Sequence, residues 1–257
     1  MYSCGIDIGS VSAEAVILKN TNNTVNITSY VIAPTGGDAK DAATRVFEEA
    51  LEKSKISKDQ IKSIIATGYG RLSIPFANKN ITEISCHAKG VAYFFPQART
   101  IIDIGGQDSK VIKLDSSQNP IDFLMNDKCA AGTGRFLEVM AKALDIEITR
   151  FAEIFLSTKE KVDISSTCTV FAESEIVSLV GHGVDKNKII KGLIYSITNK
   201  IVSMVERVGL EEPVCMTGGV AKNIAVVKAL EEKLNVQIQV PKEPQITGAL
   251  GAALFAI

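Results

Sequence analysis

The stretch Ile6-Asp7-Ile8-Gly9-Ser10 is repeated 96 residues later, from Asp7 to Asp103, as Ile102-Asp103-Ile104-Gly105-Gly106. Each copy is an apolar run that ends in Asp-Ile-Gly, and a second apolar run follows each copy after a short polar turn. This pattern is typical of a β-hairpin. The interval between the copies suits two similar half-domains and is too long for a solenoid repeat.

The remaining segments alternate between strand and helix patterns, which predicts an α/β fold. Further strands are predicted at 25–33, 61–66, 121–125, 213–217 and 236–240. Helices are predicted at 38–55, with Asp38 as its cap, and at 132–144, 189–208, 220–234 and 248–256. We place the domain boundary near Pro96, which gives a first domain of residues 1–96 and a second of 97–257, with the last helix (about 246–257) packing back on the first domain.

Composition narrows the class of protein. A hydrophobic content of 46% and a charged content of 22% are ordinary for a soluble globular protein. The net charge of −1 gives no basic field for nucleic acid, so no nucleic-acid partner is expected. The sequence has no apolar run of membrane-spanning length and no export signal at its start, which favours the cytoplasm and no membrane association. In that compartment the five cysteines, none in a C-x-x-C pair, are expected to be thiols or metal ligands.

The duplicated turns point to phosphate chemistry. Turns rich in glycine and serine expose backbone N–H groups to an anion, and a carboxylate at a strand end can hold Mg²⁺ through water. Asp7 and Asp103 are therefore predicted to position Mg²⁺ and the attacking water, and Gln107 to orient that water at the γ-phosphate. Lys110 is interpreted as a charge at a strand edge. The phosphate-binding residues predicted from the turns are Gly9, Ser10, Gly105 and Gly106.

A third element follows in Met216-Thr217-Gly218-Gly219-Val220-Ala221-Lys222. A strand, a Gly-Gly turn and a helix start form a seat for a nucleoside or its α-phosphate, so Gly218, Gly219 and Lys222 are predicted to bind ATP. In this order, after two Asp-Gly hairpins, the element resembles the adenosine motif of the actin, sugar-kinase and Hsp70 superfamily. The resemblance implies an ATP-hydrolysing enzyme.

Cys129 and Cys168 both precede predicted helix starts among polar, glycine-rich residues. A helix N-terminus favours thiolate by ~0.3–1 kcal/mol at an exposed site. Ser166 and Thr169 are candidate caps of the second helix, with Phe171 and Val177 on its buried side. The other three cysteines are interpreted as packed residues of the core: Cys4, Cys86 and Cys215.

Two thiolates cannot complete a [4Fe–4S] site, which normally takes four. A twofold dimer would supply the other two from the same positions of a partner. A zinc site of the same four thiolates is equally possible on ligand count, and chemistry alone does not decide between them.

Six motifs together carry a closer resemblance, at 5–10, 66–71, 83–88, 103–108, 126–134 and 216–220. The piece Cys129-Ala130-Ala131-Gly132-Thr133-Gly134, with a second cysteine downstream, is specific. The sequence closely resembles the activator component of 2-hydroxyacyl-CoA dehydratases, in the BadF/BadG/BcrA/BcrD ATPase family. The resemblance implies two ribonuclease-H-like (actin-like ATPase) domains around a nucleotide cleft. It also implies a homodimer bridged by one [4Fe–4S] cluster, with Cys129 and Cys168 matching the ligands.

The implied activity is ATP-dependent one-electron donation. A ferredoxin or flavodoxin loads the cluster, and ATP hydrolysis drives low-potential electron transfer to a dehydratase or related reductase. The sequence departs from the family pattern at Val11 and Glu14, where relatives often have Thr and Lys, so a basic residue near the phosphates is missing. Two other functions remain open: a small-molecule (amino-sugar) kinase of the same superfamily, and a non-enzymatic, nucleotide-switched assembly protein.

Overall fold

The structure is a computed structural model that describes residues 1–21, 24–165 and 168–257. This part of the chain divides into two compact units. Unit 1 comprises Met1–Arg99, Leu114–Ile121 and Pro241–Ile257, and unit 2 comprises Thr100–Lys113 and Asp122–Val240. Among the described helices, none has the length and apolar character needed to cross a membrane.

Unit 1 begins with a hairpin and a third antiparallel strand: β1 (Tyr2–Ile8), β2 (Ser12–Thr21) and β3 (Thr24–Pro34). It continues through α1 (Ala39–Ser54), β4 (Ile61–Thr67), β5 (Lys79–Asn80) and α2 (Glu83–Phe94), with α8 (Thr247–Phe255) from the end of the sequence. The sheet order is β3-β2-β1-β4-β5, with β4 parallel to β1. Asp38 caps α1 as predicted, because its carboxylate accepts the Lys40 and Asp41 amides at 2.8 and 3.1 Å.

The sheet of unit 1 is buried on both faces. Its alternate residues pack on one side with the apolar face of α1, which includes Val46 and Phe47. On the other side, α8 packs so closely that a methyl group built on Gly5 of β1 would lie 1.9 Å from the Ala249 carbonyl oxygen. Only glycine therefore allows this approach of helix to strand. Asp7 lies on the same face as Gly5, two residues along the strand.

Unit 2 repeats the hairpin and adds more helices. Its strands are β6 (Thr100–Ile104), β7 (Ser109–Leu114), β8 (Pro120–Asn126), β9 (Val214–Thr217) and β10 (Ile238–Gln239), in the order β10-β9-β6-β7-β8. Its helices are α3 (Gly134–Leu144), α4 (Phe151–Ser157), α5 (Thr169–Gly181), α6 (Lys186–Val208) and α7 (Ile224–Leu234). The helices share one apolar core with β6, β7 and β9, in which Phe136 and Phe151 are fully buried.

The predicted strands and the helices corresponding to α1, α3, α6 and α8 are confirmed within a few residues at their ends. One prediction needs correction at the Gly218-Gly219 turn. A 3₁₀ turn at Gly219–Lys222 comes first, and α7 begins only at Ile224, because the Asn223 side chain caps it by accepting the Ala225 amide at 3.1 Å. Helices α2 and α4 were not predicted.

Candidate functional site

In unit 2, Asp103 ends β6 and is held on both sides by its sheet neighbours. Lys110 lies opposite it on β7, and Lys110 Nζ is 3.3 Å from Asp103 Oδ2. Thr217 lies beside it on the parallel strand β9, and its hydroxyl donates to Asp103 Oδ1 at 2.7 Å. Asp103 is 3% exposed, so these donors replace the water that a free carboxylate would bind. The result is a carboxylate fixed at the carboxyl end of two parallel strands.

The turn after Asp103 is closed by its own backbone. Gly105 N–H donates to the Asp108 carbonyl at 3.0 Å, and a methyl group on Gly105 would lie 2.6 Å from Asp108 Oδ1. Asp108 also accepts from Lys110 Nζ at 2.7 Å. Lys110 is therefore no strand-edge charge, because β7 lies between β6 and β8 and this lysine joins two carboxylates while 3% exposed. Gln107 lies exposed at the tip of the turn.

Helix α3 begins directly on this turn. The amides of Gly134 and Arg135 donate to the carbonyls of Gly105 and Gly106 at 2.9 and 2.8 Å. Two of the amides that a helix start leaves without intrahelical partners are satisfied in this way. The predicted phosphate loop and the start of α3 are thus one hydrogen-bonded piece of backbone.

The Gly218 turn joins the same cluster of residues in unit 2. Gly218 has φ +83°, and a methyl group on it would lie 2.4 Å from the Ile104 carbonyl oxygen and 3.0 Å from Asp103 Oδ1. A glycine is required on both counts. Gly219 and Lys222 are exposed in the 3₁₀ turn that follows.

Unit 1 carries the corresponding hairpin. Gly9 N–H donates to the Ser12 carbonyl at 2.9 Å, as Gly105 does to Asp108, and Asp7 pairs with Glu14 in the register in which Asp103 pairs with Lys110. Asp7 and Glu14 are 8% and 5% exposed. Ser10 lies exposed in the turn, next to the half-buried Gly9. Unit 1 therefore brings together Asp7, Gly9 and Ser10 at one end of its sheet.

Four residues lie around the Asp7 carboxylate. A methyl group on Gly68 would lie 2.2 Å from Oδ1, and one on Gly248 would lie 1.9 Å from Oδ2 and 3.3 Å from His87 Nε2. Thr67 lies beside Asp7 on the parallel strand β4, in the position that Thr217 has beside Asp103. The Asp7 carboxylate is thus enclosed by glycine backbone with an imidazole nearby.

Cys129 and Cys168, which lie among polar residues, both belong to unit 2 and are more exposed than the other three cysteines. Cys129 is half-buried and Cys168 is exposed, whereas Cys4, Cys86 and Cys215 are buried, as predicted. Burial raises the pKa of Cys86 and of Cys215 to about 12. The three buried cysteines are therefore protonated residues of the core, and Cys129 and Cys168 are accessible thiols.

Each accessible thiol precedes a helix, and α3 and α5 pack against each other. Cys129 lies in the loop before α3, where the Asn126 side-chain amide donates to the Cys129 and Ala131 carbonyls at 2.8 and 2.9 Å. Cys168 is itself the N-cap residue of α5. The predicted cap Thr169 is instead the first helical residue, and Ser166 lies outside the described residues.

Helix α5 packs Ala172 and Ile176 into the core of unit 2, but its predicted buried residues are exposed. Phe171 is 68% exposed and Val177 is 58% exposed, and Val170 beside them is 67% exposed. Within the described residues, no three His, Cys, Asp or Glu side chains gather closely enough to hold a metal ion in one chain.

Comparison with known proteins gives the family. The model of the BadF/BadG/BcrA/BcrD ATPase family matches residues 4–256. The chain belongs to this family. The 2-hydroxyisocaproyl-CoA dehydratase activator of Clostridioides difficile is 46% identical over 256 residues, which cover 100% of this chain and 95% of that protein. The activator of lactoyl-CoA dehydratase of Anaerotignum propionicum is 49% identical over 256 residues, covering 100% and 97%.

Comparison with solved structures supports the same family assignment. The activator of the 2-hydroxyisocaproyl-CoA dehydratase from Clostridium difficile with bound ADPNP matches with a TM-score of 0.93 at 45% identity, covering 100% of this chain and 94% of that one. A ROK family glucokinase from Streptomyces griseus matches with a TM-score of 0.60 at 12% identity over 99% of each chain, which shows a shared fold alone. This BadF/BadG/BcrA/BcrD family member is thus an ATP-hydrolysing enzyme with an actin-like α/β fold.

Sequence reasoning about this ATPase missed the residues that hold the Asp103 carboxylate. Lys110 and Thr217 contact Asp103 from neighbouring strands, 7 and 114 positions away in sequence. The register of a tight hairpin puts Lys110 opposite Asp103, so this pair could have been predicted from the sequence. Thr217 depends on a parallel pairing that no local pattern specifies.

Proposed function

We propose that this ATPase is an activator: an ATP-dependent one-electron donor that reduces a 2-hydroxyacyl-CoA dehydratase-type or related iron–sulfur enzyme. Family membership and the names of its relatives support the activator role. A reduced ferredoxin or flavodoxin is the proposed electron source, and the cytoplasm the proposed compartment.

For nucleotide binding, the hairpin turns offer the backbone amides of Ser10 in unit 1 and of Gly106 in unit 2 to phosphate oxygens. Gly9 and Gly105 belong to the same phosphate-binding turns, which their own amides close. Asp7 and Asp103 hold Mg²⁺ through water, since Mg²⁺ keeps most of its hydration shell. Gln107, exposed at the turn tip, orients the attacking water. Gly218, Gly219 and Lys222 receive the nucleoside end.

In the redox half, Cys129 and Cys168 each contribute a thiolate to a [4Fe–4S] cluster that a homodimer completes. Their accessibility and the position of Cys168 at a helix N-terminus fit thiolate ligands of such a group. When bound, the cluster supplies a one-electron redox centre. The exposed apolar side of α5, formed by Val170, Phe171 and Val177, is available for the partner subunit.

One observation carries the coupling between the two halves: α3 begins on the phosphate turn. The Gly134 amide donates to the Gly105 carbonyl, and the Cys129 loop leads directly into this helix start. A movement of the turn on hydrolysis therefore displaces α3, the Cys129 loop and the packed helix α5 together. The nucleotide state and the thiol positions are linked within one unit.

Anaerobic purification tests the proposal. We expect a brown dimer with about four irons per pair, whose iron is lost in Cys129→Ser and in Cys168→Ser. Cys215→Ser is the matched control, since this buried thiol lies within a strand and should leave the iron content unchanged. Zinc in place of iron, or a colourless monomer that phosphorylates an amino sugar, would refute the redox role.

A further inference from the structure

The two hairpins have the same geometry and opposite charge at one position. Asp7 faces Glu14 across β1–β2, and Asp103 faces Lys110 across β6–β7. In unit 2, the lysine bridges Asp103 and Asp108. In unit 1, Glu14 accepts from the Ser12 hydroxyl at 2.6 Å, and Ser12 occupies the turn position of Asp108. A cation thus lies opposite the unit 2 aspartate, and an anion opposite the unit 1 aspartate.

This difference matters because both aspartates are buried. A carboxylate removed from water needs a nearby cation or several hydrogen-bond donors to remain ionised. Lys110 supplies that charge to Asp103, whereas Glu14 adds a second acid beside Asp7. The hairpin of unit 1 therefore has no lysine in the register of Lys110, and a hydrogen-bond donor from another element can take that role.

His87 is placed to be that donor. It is 7% exposed on α2, and its Nε2 atom and Asp7 Oδ2 both lie against Gly248, at 3.3 and 1.9 Å from the position of a methyl group there. The two polar atoms are thus no farther apart than the sum of these distances.

The position of His87 is rigid. Helix α2 is packed against α8 so tightly that a methyl group on Gly90 would lie 2.1 Å from the Thr247 carbonyl oxygen, and one on Gly251 would lie 1.8 Å from that of Cys86. These contacts flank His87 on its own helix and Gly248 on α8. A helix locked in this way holds its side chains with the precision that a positioning role requires.

We propose that His87 is the positioning residue of Asp7: its Nε2–H group holds the Asp7 carboxylate oriented toward the Mg²⁺-bound water, as Lys110 holds Asp103. This inference rests on the proposed role of Asp7 in nucleotide hydrolysis. In this hairpin an acid, Glu14, stands in the register that Lys110 has in unit 2, so the lysine that holds Asp103 has no equivalent at position 14.

The test compares four variants by their steady-state ATPase rates over a range of Mg²⁺ concentrations. His87→Leu should lower kcat about tenfold or more and raise the Mg²⁺ concentration for half-maximal rate, because a misoriented carboxylate binds hydrated Mg²⁺ poorly. His87→Gln keeps an N–H donor and should retain activity within about threefold. His182→Gln alters the other histidine of the sequence, exposed at the end of α5, and should match the unmodified protein.

The decisive variant is the double substitution Glu14→Lys with His87→Leu. A lysine at position 14 has the register of Lys110, so it should restore a rate at least about fivefold above His87→Leu alone. Equal rates for the glutamine and leucine variants, or no rescue by the lysine, would overturn the proposal. Unfolding temperature and iron content, measured on the same samples, separate this failure from loss of fold or failure of the redox role.

Discussion

Lys110 is buried between two acids, with Nζ 3.3 Å from Asp103 Oδ2 and 2.7 Å from Asp108 Oδ2. The side chains of Lys110 and Asp103 are 3% and 4% exposed, so this pair is shielded from salt and water. Its two partners belong to the strand end and the turn of one hairpin. The ammonium therefore fixes the shape of the turn on which α3 begins.

Replacement of Lys110 by methionine should destabilise the fold. The change leaves Asp103 buried without its cation, and loss of one partner of a buried pair costs about 3–5 kcal/mol. Lys113→Met is the control, because Lys113 is 26% exposed and lies 3.8 Å from Glu211, a pair worth less than about 1 kcal/mol. Urea unfolding followed by circular dichroism gives both free energies, and similar values for the two variants would contradict the prediction.

Gly248→Ala should impair nucleotide hydrolysis. The new methyl group would meet Asp7 Oδ2 at 1.9 Å, so the carboxylate must move, and a displacement of about 1 Å in a reacting group can cost about a hundredfold in rate. Gly37→Ala is the matched control, since no atom lies within 4 Å of its added methyl group. ATPase rates of the two variants decide the matter; an unaffected Gly248→Ala enzyme would show that the Asp7 orientation is unimportant.

The cysteines should alkylate in two classes. In metal-free, reduced protein at pH 8, iodoacetamide should modify Cys168 and Cys129 first, because they are accessible. Burial raises the pKa of Cys86 and Cys215 to about 12, so only about one molecule in ten thousand carries either thiolate at pH 8. Peptide mass spectrometry over time gives the order, and early labelling of Cys86 or Cys215 would argue against their burial.

Asp38→Ala should destabilise unit 1 by about 1 kcal/mol. The change removes an acceptor from the amides of Lys40 and Asp41 at the start of α1. Asp163→Ala serves as a control, since its side chain is 87% exposed and away from any helix start, and should change stability by less than about 0.5 kcal/mol. Chemical denaturation of both proteins measures the difference.

The hairpins and α1 were predictable because their signals are local. An apolar strand, a glycine turn and a second strand specify β1–β2 and β6–β7, and Asp38 marks a helix start by its own hydrogen bonds. Helix α2 was missed because its sequence includes Ser85 and Gly90, which weaken a helical pattern. It is fixed by contact with α8, more than 150 positions away in the sequence, and local patterns carry no such information.

The candidate site shows the same division. Asp7 and Asp103 were selected as candidates from their repeated motif, and their role in hydrolysis stays a prediction; the buried and accessible cysteines were separated correctly by context. The burial of Phe171 and Val177 was predicted wrongly, since the helix has apolar residues on more than one side and it is Ala172 and Ile176 that pack in the core. The contacts of His87 and Lys110 with the two aspartates could be described only once the strand register and the helix packing were known.

Unit 1 is built from segments that are far apart in the sequence, and this affects the order in which it folds during synthesis. Its sheet is made early, but Gly248 and the rest of α8 leave the ribosome only after residues 122–240 have been translated. Gly5 and Asp7 pack against α8. Until α8 has been synthesised, the face of the sheet that contains these two residues therefore lacks its helix. The segments of unit 2 are contiguous apart from residues 114–121, so unit 2 can fold before unit 1 is complete. The amino-terminal aspartate is therefore the last of the two to reach its final surroundings.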